Sequence, residues 1–404
     1  MSRIKIKNFG PIREGFLEND GWMDVKKVTV LIGDQGSGKS TVAKLISTLS
    51  WIEKDLFRSN GSTLRYRKQE RNFNSLLEYH RINDYLKEDT VILYEGDAYK
   101  IGYQRGQNLD IQKINSNAYS LPKITYYPAE RNFVSSVRQT KNSNKQSVKL
   151  WSESLQEFKE IFQESKEKFR ERETLNLPIG NAVLEYNKLN DILYVKGVDY
   201  KIQLADSASG FQSFVPLFVV ANYVSELPEK GKEMDEQQRE TFKKESVEIL
   251  NNKTYTEEQK RILLSNLAAQ FNVKRTLNIV EEPEQNLFPN SQQKVINSLI
   301  EYNNAIKENK LIISTHSPYI LSSLNNSILA EEVFEKTGKS IDAYGKDKRV
   351  AFADVSAYQL DDGRIYDIKD YETNLINAEA IDSCSDVINS DFDQLLDLMP
   401  DNEA

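Results

Sequence analysis

Eight residues constrain this chain more than any others: Gly33-Asp34-Gln35-Gly36-Ser37-Gly38-Lys39-Ser40, directly after the apolar run Val28–Ile32. They fit the pattern G-x-x-x-x-G-K-[ST], a P-loop, in the context that pattern needs. An apolar strand delivers the chain to a glycine-rich turn. A helix beginning near Lys39 and continuing through Thr41 then presents its N-terminal amides and positive dipole end to a phosphate. Glycine is needed in the turn because a Cβ would hold the backbone away from the β-phosphate. In this pattern Gly33, Gln35, Gly36, Ser37, Gly38 and Thr41 surround the phosphates. Lys39 bridges the β- and γ-phosphates, and the Ser40 hydroxyl binds Mg²⁺. The ligands expected are therefore ATP and Mg²⁺.

A chain of 404 residues can bury a large core, either as one domain with insertions or as two domains. Its 39% hydrophobic and 28% charged residues fit a globular protein with long, solvated helical insertions. A net charge of −8 argues against a nucleic-acid coat, while leaving room for a local basic stripe. The single cysteine, Cys384, rules out an internal disulfide and points to a reducing cytoplasm. The N-terminus reads as an opening strand with no signal-peptide core, and no apolar run is long enough to span a membrane.

Residues 3–8 and 25–32 read as strands around a turn at Asn8–Pro11, and residues 41–58 as the helix after the P-loop. Residues 62–120 read as a short helical piece followed by an antiparallel β region that includes Thr90–Tyr94 and Tyr99–Tyr103. Lys123–Tyr127 is a strand ending in Pro128-Ala129-Glu130-Arg131. Residues 149–173 are strongly helical, with Trp151, Leu155, Phe158 and Phe162 on one face. A second helical insertion spans about 229–272. The charge runs of both insertions read as solvated helix faces. Residues 349–366 read as a short β extension with a turn at Asp361–Gly363, and residues 374–398 as a helix.

Three further segments add chemistry. Thr276–Val280 is an apolar strand that ends in Glu281 and Glu282. Glu281 is placed to hold Mg²⁺ through its water shell, and Glu282 to polarise the attacking water. Leu311–Thr315 is another strand, ending at His316, which is positioned to reach a γ-phosphate. His80, the other histidine of the chain, reads as structural. Ser209-Gly210-Phe211-Gln212 precedes an apolar helix from Phe214 to Val224. A Ser-Gly pair at a helix N-terminus is a second anion site; the plainer reading is a helix capped by Ser or Asp.

The order P-loop, Ser-Gly-x-Gln, strand-Glu-Glu-Pro, strand-Thr-His-Ser-Pro resembles the ABC-type ATPase head over roughly residues 1–60, 120–135, 195–225 and 275–330. The resemblance implies an α/β fold: a P-loop NTPase head with a mixed central sheet, an antiparallel β subdomain and helical insertions. It also implies a head-to-head dimer or higher homo-oligomer, in which Ser209, Gly210 and Gln212 of one subunit complete the ATP site of another. Within that class, Ile6-Lys7-Asn8-Phe9-Gly10-Pro11-Ile12, Tyr127–Arg131, Glu281–Pro289 and Ser314–Tyr319 are similar to the RecF/SMC-like branch that includes OLD-family ATPases. Such chains recur as the ATPase half of bacterial anti-phage systems of the PARIS or Septu type. The resemblance thus implies a switch that controls a separate effector, such as a nuclease. The head is expected over residues 1–350, with insertions at about 62–120, 140–195 and 226–275. A short β extension and C-terminal helix are expected over 351–404.

Four departures stand out. The first strand-end acid is Glu281 where the family carries Asp, and Phe211 replaces the signature's second glycine. No glutamine follows the 123–127 strand, where Glu130 or Arg131 is the candidate substitute; the other reading makes Arg131 a structural ion-pair residue. After Glu284 the chain carries Gln285 and Asn286. OLD-family nucleases carry a TOPRIM metal domain after the His strand. Only 88 residues follow His316, so the Asp391-Phe392-Asp393 pattern is not expected to form a nuclease centre. A DNA-clamping repair ATPase of the RecF type is the alternative. It needs a basic face, for which Arg65, Arg67, Lys68, Arg71, Lys145 and Lys149 are candidates.

Overall fold

The computed structural model describes residues 2–59, 73–104, 109–114, 119–136, 151–172, 174–187, 189–230, 236–252, 272–377 and 389–395, with short stretches between 255 and 267. Its centre is a seven-stranded mixed sheet. The order is Gly15–Phe16, Arg364–Asp367, Val355–Asp361, Val28–Ile32, Lys310–Thr315, Arg275–Glu281, Pro122–Tyr127. Every pairing is parallel except that of the Val355–Asp361 and Arg364–Asp367 strands. The P-loop strand is buried along its whole length, as a central parallel strand covered on both faces must be. Its side chains alternate between two cores. Val28, Val30 and Ile32 join Phe214, Val215 and Ile320 on one face. Leu31 joins Ile4, Ile6, Val42 and Ile92 on the other.

The first face is covered by the helices Glu153–Arg172, Ser209–Ser225, Pro289–Asn304 and Pro318–Thr337. The second carries the P-loop helix Lys39–Arg58 and a five-stranded antiparallel sheet. That sheet joins Ser2–Phe9 and Met23–Val25 to Leu86–Glu95, Tyr99–Gln104 and Asp110–Lys113, with the helix Phe73–Glu78 ahead of it. The fold is the expected α/β arrangement of mixed central sheet, antiparallel β region and helical insertions. In the first insertion, Leu155, Phe158 and Phe162 are buried as the helical spacing requires, and Trp151 packs partly buried against them just before the helix. The second insertion contributes the helix Glu236–Asn251.

Two regions differ from the sequence reading. Before the signature segment the chain forms a four-stranded antiparallel sheet, Thr174–Asn176, Val183–Asn187, Ile192–Lys196 and Lys201–Gln203. Near the C-terminus, residues expected to start a helix form a turn with Asn374 at φ +57° and a short strand, Leu375–Ile376. Helix is found at 389–395, where Phe392 and Leu395 are exposed. The central sheet continues past residue 350, since the hairpin around Asp361–Gly363 supplies two of its strands. No helix among the described residues is long and apolar enough to cross a membrane.

Candidate nucleotide site

The register of the parallel strands determines where the site lies. Ile32 pairs with Thr315, Ser314 with Glu281, and Val280 with Tyr127. Four strands therefore end together on one edge, the carboxyl edge where open α/β sheets bind ligands. This places the P-loop, His316, the acid pair and the Pro128–Arg131 turn side by side. The His316 strand lies between the P-loop strand and the acidic strand.

The P-loop turn is tightly held. A Cβ on Gly33 would stand 2.2 Å from the Leu360 carbonyl oxygen, and one on Gly38 would meet Ile12 at 2.6 Å; these glycines adopt φ +147° and +107°. Only residues without a side chain fit both demands. Gln35 and Gly36 are exposed on the crest, Ser37 and Ser40 are half-buried, and Thr41 is buried in the first helical turn. Lys39 is buried, and its Nζ donates to the Gly33 and Asp34 carbonyls at 2.8 and 2.7 Å. Burial lowers its pKa to about 8 against the opposing pull of Glu282, Glu284, Asp34 and Glu281. Those acids are therefore close enough to act on the lysine.

Glu281 is buried. Its Oε2 accepts the Ala129 amide at 3.2 Å, and its Oε1 makes no well-formed hydrogen bond among the described residues, with the Tyr126 phenol facing the same carboxylate. A buried carboxylate oxygen left this way is costly without a cation or a bound water shell. Glu282 adopts φ +42°, a left-handed backbone that turns its side chain away from the strand line. Its Oε1 lies 3.5 Å from His316 Nε2. That contact, against some desolvation, holds the Glu282 carboxyl below its ordinary value, so it is ionised at neutral pH. No group of three or more His, Cys, Asp or Glu among the described residues forms a metal cage. A Mg²⁺ ion takes only one or two protein ligands when phosphates supply others; Ser40 and Glu281 are the residues that could supply them.

Two residues carry more of the site than the sequence reading gave them. Glu284 Oε1 accepts both the Thr315 hydroxyl and the His316 amide at 2.7 Å, and so fixes the end of the histidine strand. Arg131 is fully buried. Its guanidinium donates to the carbonyls of Glu281 and Glu282 at 2.6 Å, Ser213 at 3.1 Å and Pro128 at 3.2 Å. Of the two readings of Arg131, the structure favours the structural one, with backbone carbonyls rather than an acid as its partners. Glu130 remains exposed beside it. The signal for Arg131 was its place at a strand end next to the acid pair. Nothing in its spacing showed that it would point inward.

The signature helix begins at Ser209 with Ala208 as its N-cap and no side-chain cap. The plain capping reading thus finds no side-chain cap, and the Phe211 and Gln212 amides turn back to the Ala208 carbonyl at 2.9 and 3.2 Å. Ser209 is exposed. Gly210 packs on the Asn286 backbone, where a Cβ would stand 2.9 Å from its oxygen, and Asn286 donates to Ser213 Oγ at 2.9 Å. Gln212 donates to the Ala205 and Ser207 carbonyls at 3.0 and 2.8 Å, shaping the loop ahead of the helix. The Phe211 ring lies against Gly180 of the small β-sheet region, which explains how a large residue fits there. Among the described residues, no hydrogen bond joins Ser209 or Gly210 to the P-loop of the same chain.

Fold and site together define a P-loop NTPase domain. The chain belongs to the family described as "AAA domain, putative AbiEii toxin, Type IV TA system", whose model matches residues 28–322. No curated protein matches the chain. Among solved structures, an SMC head bound to the C-winged helix domain of ScpA is 13% identical, with 92% of this chain and 98% of that chain covered, at TM-score 0.37. The SMC head domain from Thermotoga maritima is 10% identical, with coverage of 91% and 97%, at TM-score 0.34. A nucleotide-free ATP-binding cassette from an ABC transporter is 12% identical, with coverage of 90% and 90%, at TM-score 0.30.

Proposed function

We propose that the chain is a Mg²⁺-dependent ATPase acting as a molecular switch. The observation that carries this reading is the shared strand edge, with the P-loop lysine, a buried acid whose second oxygen makes no well-formed hydrogen bond among the described residues, and a Glu-His pair at neighbouring strand ends. Lys39 and the loop amides hold the phosphates. Ser40 and Glu281 hold Mg²⁺, which neutralises phosphate charge when bound. Glu282 orients the attacking water, and His316 faces the γ-phosphate while steadied by Glu284. In the test, Lys39→Ala abolishes tight ATP binding in calorimetry. Wild-type affinity in that variant overturns the assignment.

The same reading makes the active form a head-to-head homodimer or larger homo-oligomer. Ser209, Gly210 and Gln212 of one subunit complete the nucleotide site of another. The exposed helix start, which has no side-chain cap, supports this. Ser209→Arg leaves ATP binding to the single subunit nearly intact but destroys hydrolysis, because a cation there opposes the helix dipole and blocks docking. A mixture of Ser209→Arg and Lys39→Ala subunits forms heterodimers with one doubly damaged and one intact site, and regains measurable turnover. A Ser209→Arg variant that hydrolyses ATP normally and still associates on ATP addition reduces the segment to an ordinary helix start.

The family's description as an AbiEii toxin of a type IV toxin–antitoxin system supports a two-component bacterial setting. We place the chain as the ATPase half, controlling a separate effector such as a nuclease in cytoplasmic anti-phage defence. The division at residue 350 stays part of this proposal as a head and a C-terminal part that lends two strands to the head's central sheet. The basic residues that a DNA clamp would use, Arg65, Arg67, Lys68, Arg71, Lys145 and Lys149, lie outside the described residues. DNA-stimulated turnover that falls steeply with salt is the result that favours the RecF-like alternative.

A further inference from the structure

A cavity of about 500 Å³ opens beside the C-terminal half of the P-loop helix, where Ser47, Thr48 and Trp51 line it. Ser47 lies eight residues beyond Lys39, roughly 12 Å along the helix. None of residues 33–41 lines the cavity. Its other walls are Tyr79 and His80 after the helix Phe73–Glu78, Lys123 and Tyr126 of the strand Pro122–Tyr127, and Glu153 and Glu157 of the insertion helix.

His80 is 2% exposed, yet neither of its ring nitrogens has a hydrogen-bond partner among the described residues. The Tyr126 hydroxyl, also buried, faces the Glu281 side chain. Burial lowers the His80 pKa to about 3, so the ring is neutral and offers one N–H donor and one lone pair. Its ring centroid lies 4.6 Å from that of Tyr79 and 4.5 Å from that of Tyr126. Glu157 accepts the Tyr79 hydroxyl, which holds that ring in the wall. Lys123 lines the cavity beside the carboxylates Glu153 and Glu157, and the Glu157 carboxylate is taken up by Tyr79. Its volume falls within the range of small-molecule sites. Flat rings, a neutral donor–acceptor pair and the Lys123 ammonium select a ligand with matching parts.

We infer that this cavity is a second ligand site, separate from the P-loop, for a small anion carrying a flat hydrogen-bonding ring: a mononucleotide in chemical class. Tyr126 links it to the nucleotide site. Its strand partner is Ile279, two residues before Glu281, and its own strand runs into the turn that carries Arg131. The Glu281 charge acts on the Tyr126 phenol, adding to burial in raising its pKa. Occupancy of the cavity therefore alters ATP turnover, a consequence that rests on the ATPase reading.

The test titrates AMP and GMP by calorimetry into the full chain with its P-loop saturated by Mg²⁺ and a non-hydrolysable ATP analogue. At least one monophosphate binds at one equivalent per chain. His80→Phe and Lys123→Glu each weaken that binding at least about tenfold, while affinity for the analogue is unchanged. Lys123 is half-buried on an edge strand of the central sheet, so its variant folds even where His80→Phe does not. Absence of monophosphate binding, or wild-type binding by Lys123→Glu, overturns the site. Binding with unchanged ATP turnover overturns the link through Tyr126. A wild-type chain that hydrolyses no ATP overturns the ATPase reading and leaves the binding result intact.

Discussion

Glu282→Gln binds ATP with near wild-type affinity and hydrolyses it at least about 100-fold more slowly. The substitution keeps the size of the side chain and removes only the charge and the proton-accepting oxygen. In the structure that carboxylate is kept ionised chiefly by its contact with His316. The glutamine variant also accumulates a closed dimer or larger assembly, because the bound triphosphate persists. Glu281→Gln behaves differently. It removes a buried charge whose second oxygen makes no well-formed hydrogen bond among the described residues, so turnover shifts to higher Mg²⁺ concentration. A single-turnover assay with varied Mg²⁺ separates the two. Wild-type turnover in Glu282→Gln means the roles of the acids are wrongly assigned.

Arg131→Met lowers the stability of the domain by about 3 kcal/mol. The side chain is fully buried and serves four carbonyls, three of them on other segments. Methionine fills much of the same volume but leaves those acceptors unsatisfied, and relief from burying a charge offsets only part of the loss. Burial lowers the guanidinium pKa only to about 10, so it carries its charge at neutral pH. Arg131→Lys does not rescue, because one ammonium cannot span the fork geometry. Thermal or urea unfolding measures the effect. A Met variant as stable as wild type shows that the clamp is not needed.

The parts of the site that sequence reading located are those whose chemistry depends on local order. The P-loop needs consecutive glycines and a lysine, so Gly33 to Ser40 could be read directly. Glu281, Glu282 and His316 followed because each ends a strand, and strand ends in parallel sheets share one edge. Arg131 and Glu284 were visible as residues but not as roles, because their partners lie about 80 to 150 and about 30 residues away in sequence. The small sheet from Thr174 to Gln203 escaped because its strands are three to five residues long. The helix expected from residue 374 begins later, since Asn374 takes a left-handed turn and Leu375 pairs with Asp370.

The position of the P-loop strand within the sheet has a consequence for biosynthesis. Val28 pairs with Leu311 on one side and Val355 on the other. Both neighbours are made late, and Leu360 supplies the carbonyl that packs against Gly33. On the ribosome, the glycine turn and the Ile12 wall emerge early, yet the two strands that flank the P-loop strand, beginning at Lys310 and Val355, emerge more than 250 residues later. Until then the strand has two unpaired edges of apolar sequence, the kind of surface that aggregates or recruits chaperones. Phosphate-binding competence therefore arrives as one late event rather than growing with the nascent chain, and a stalled or incomplete product cannot hold nucleotide prematurely.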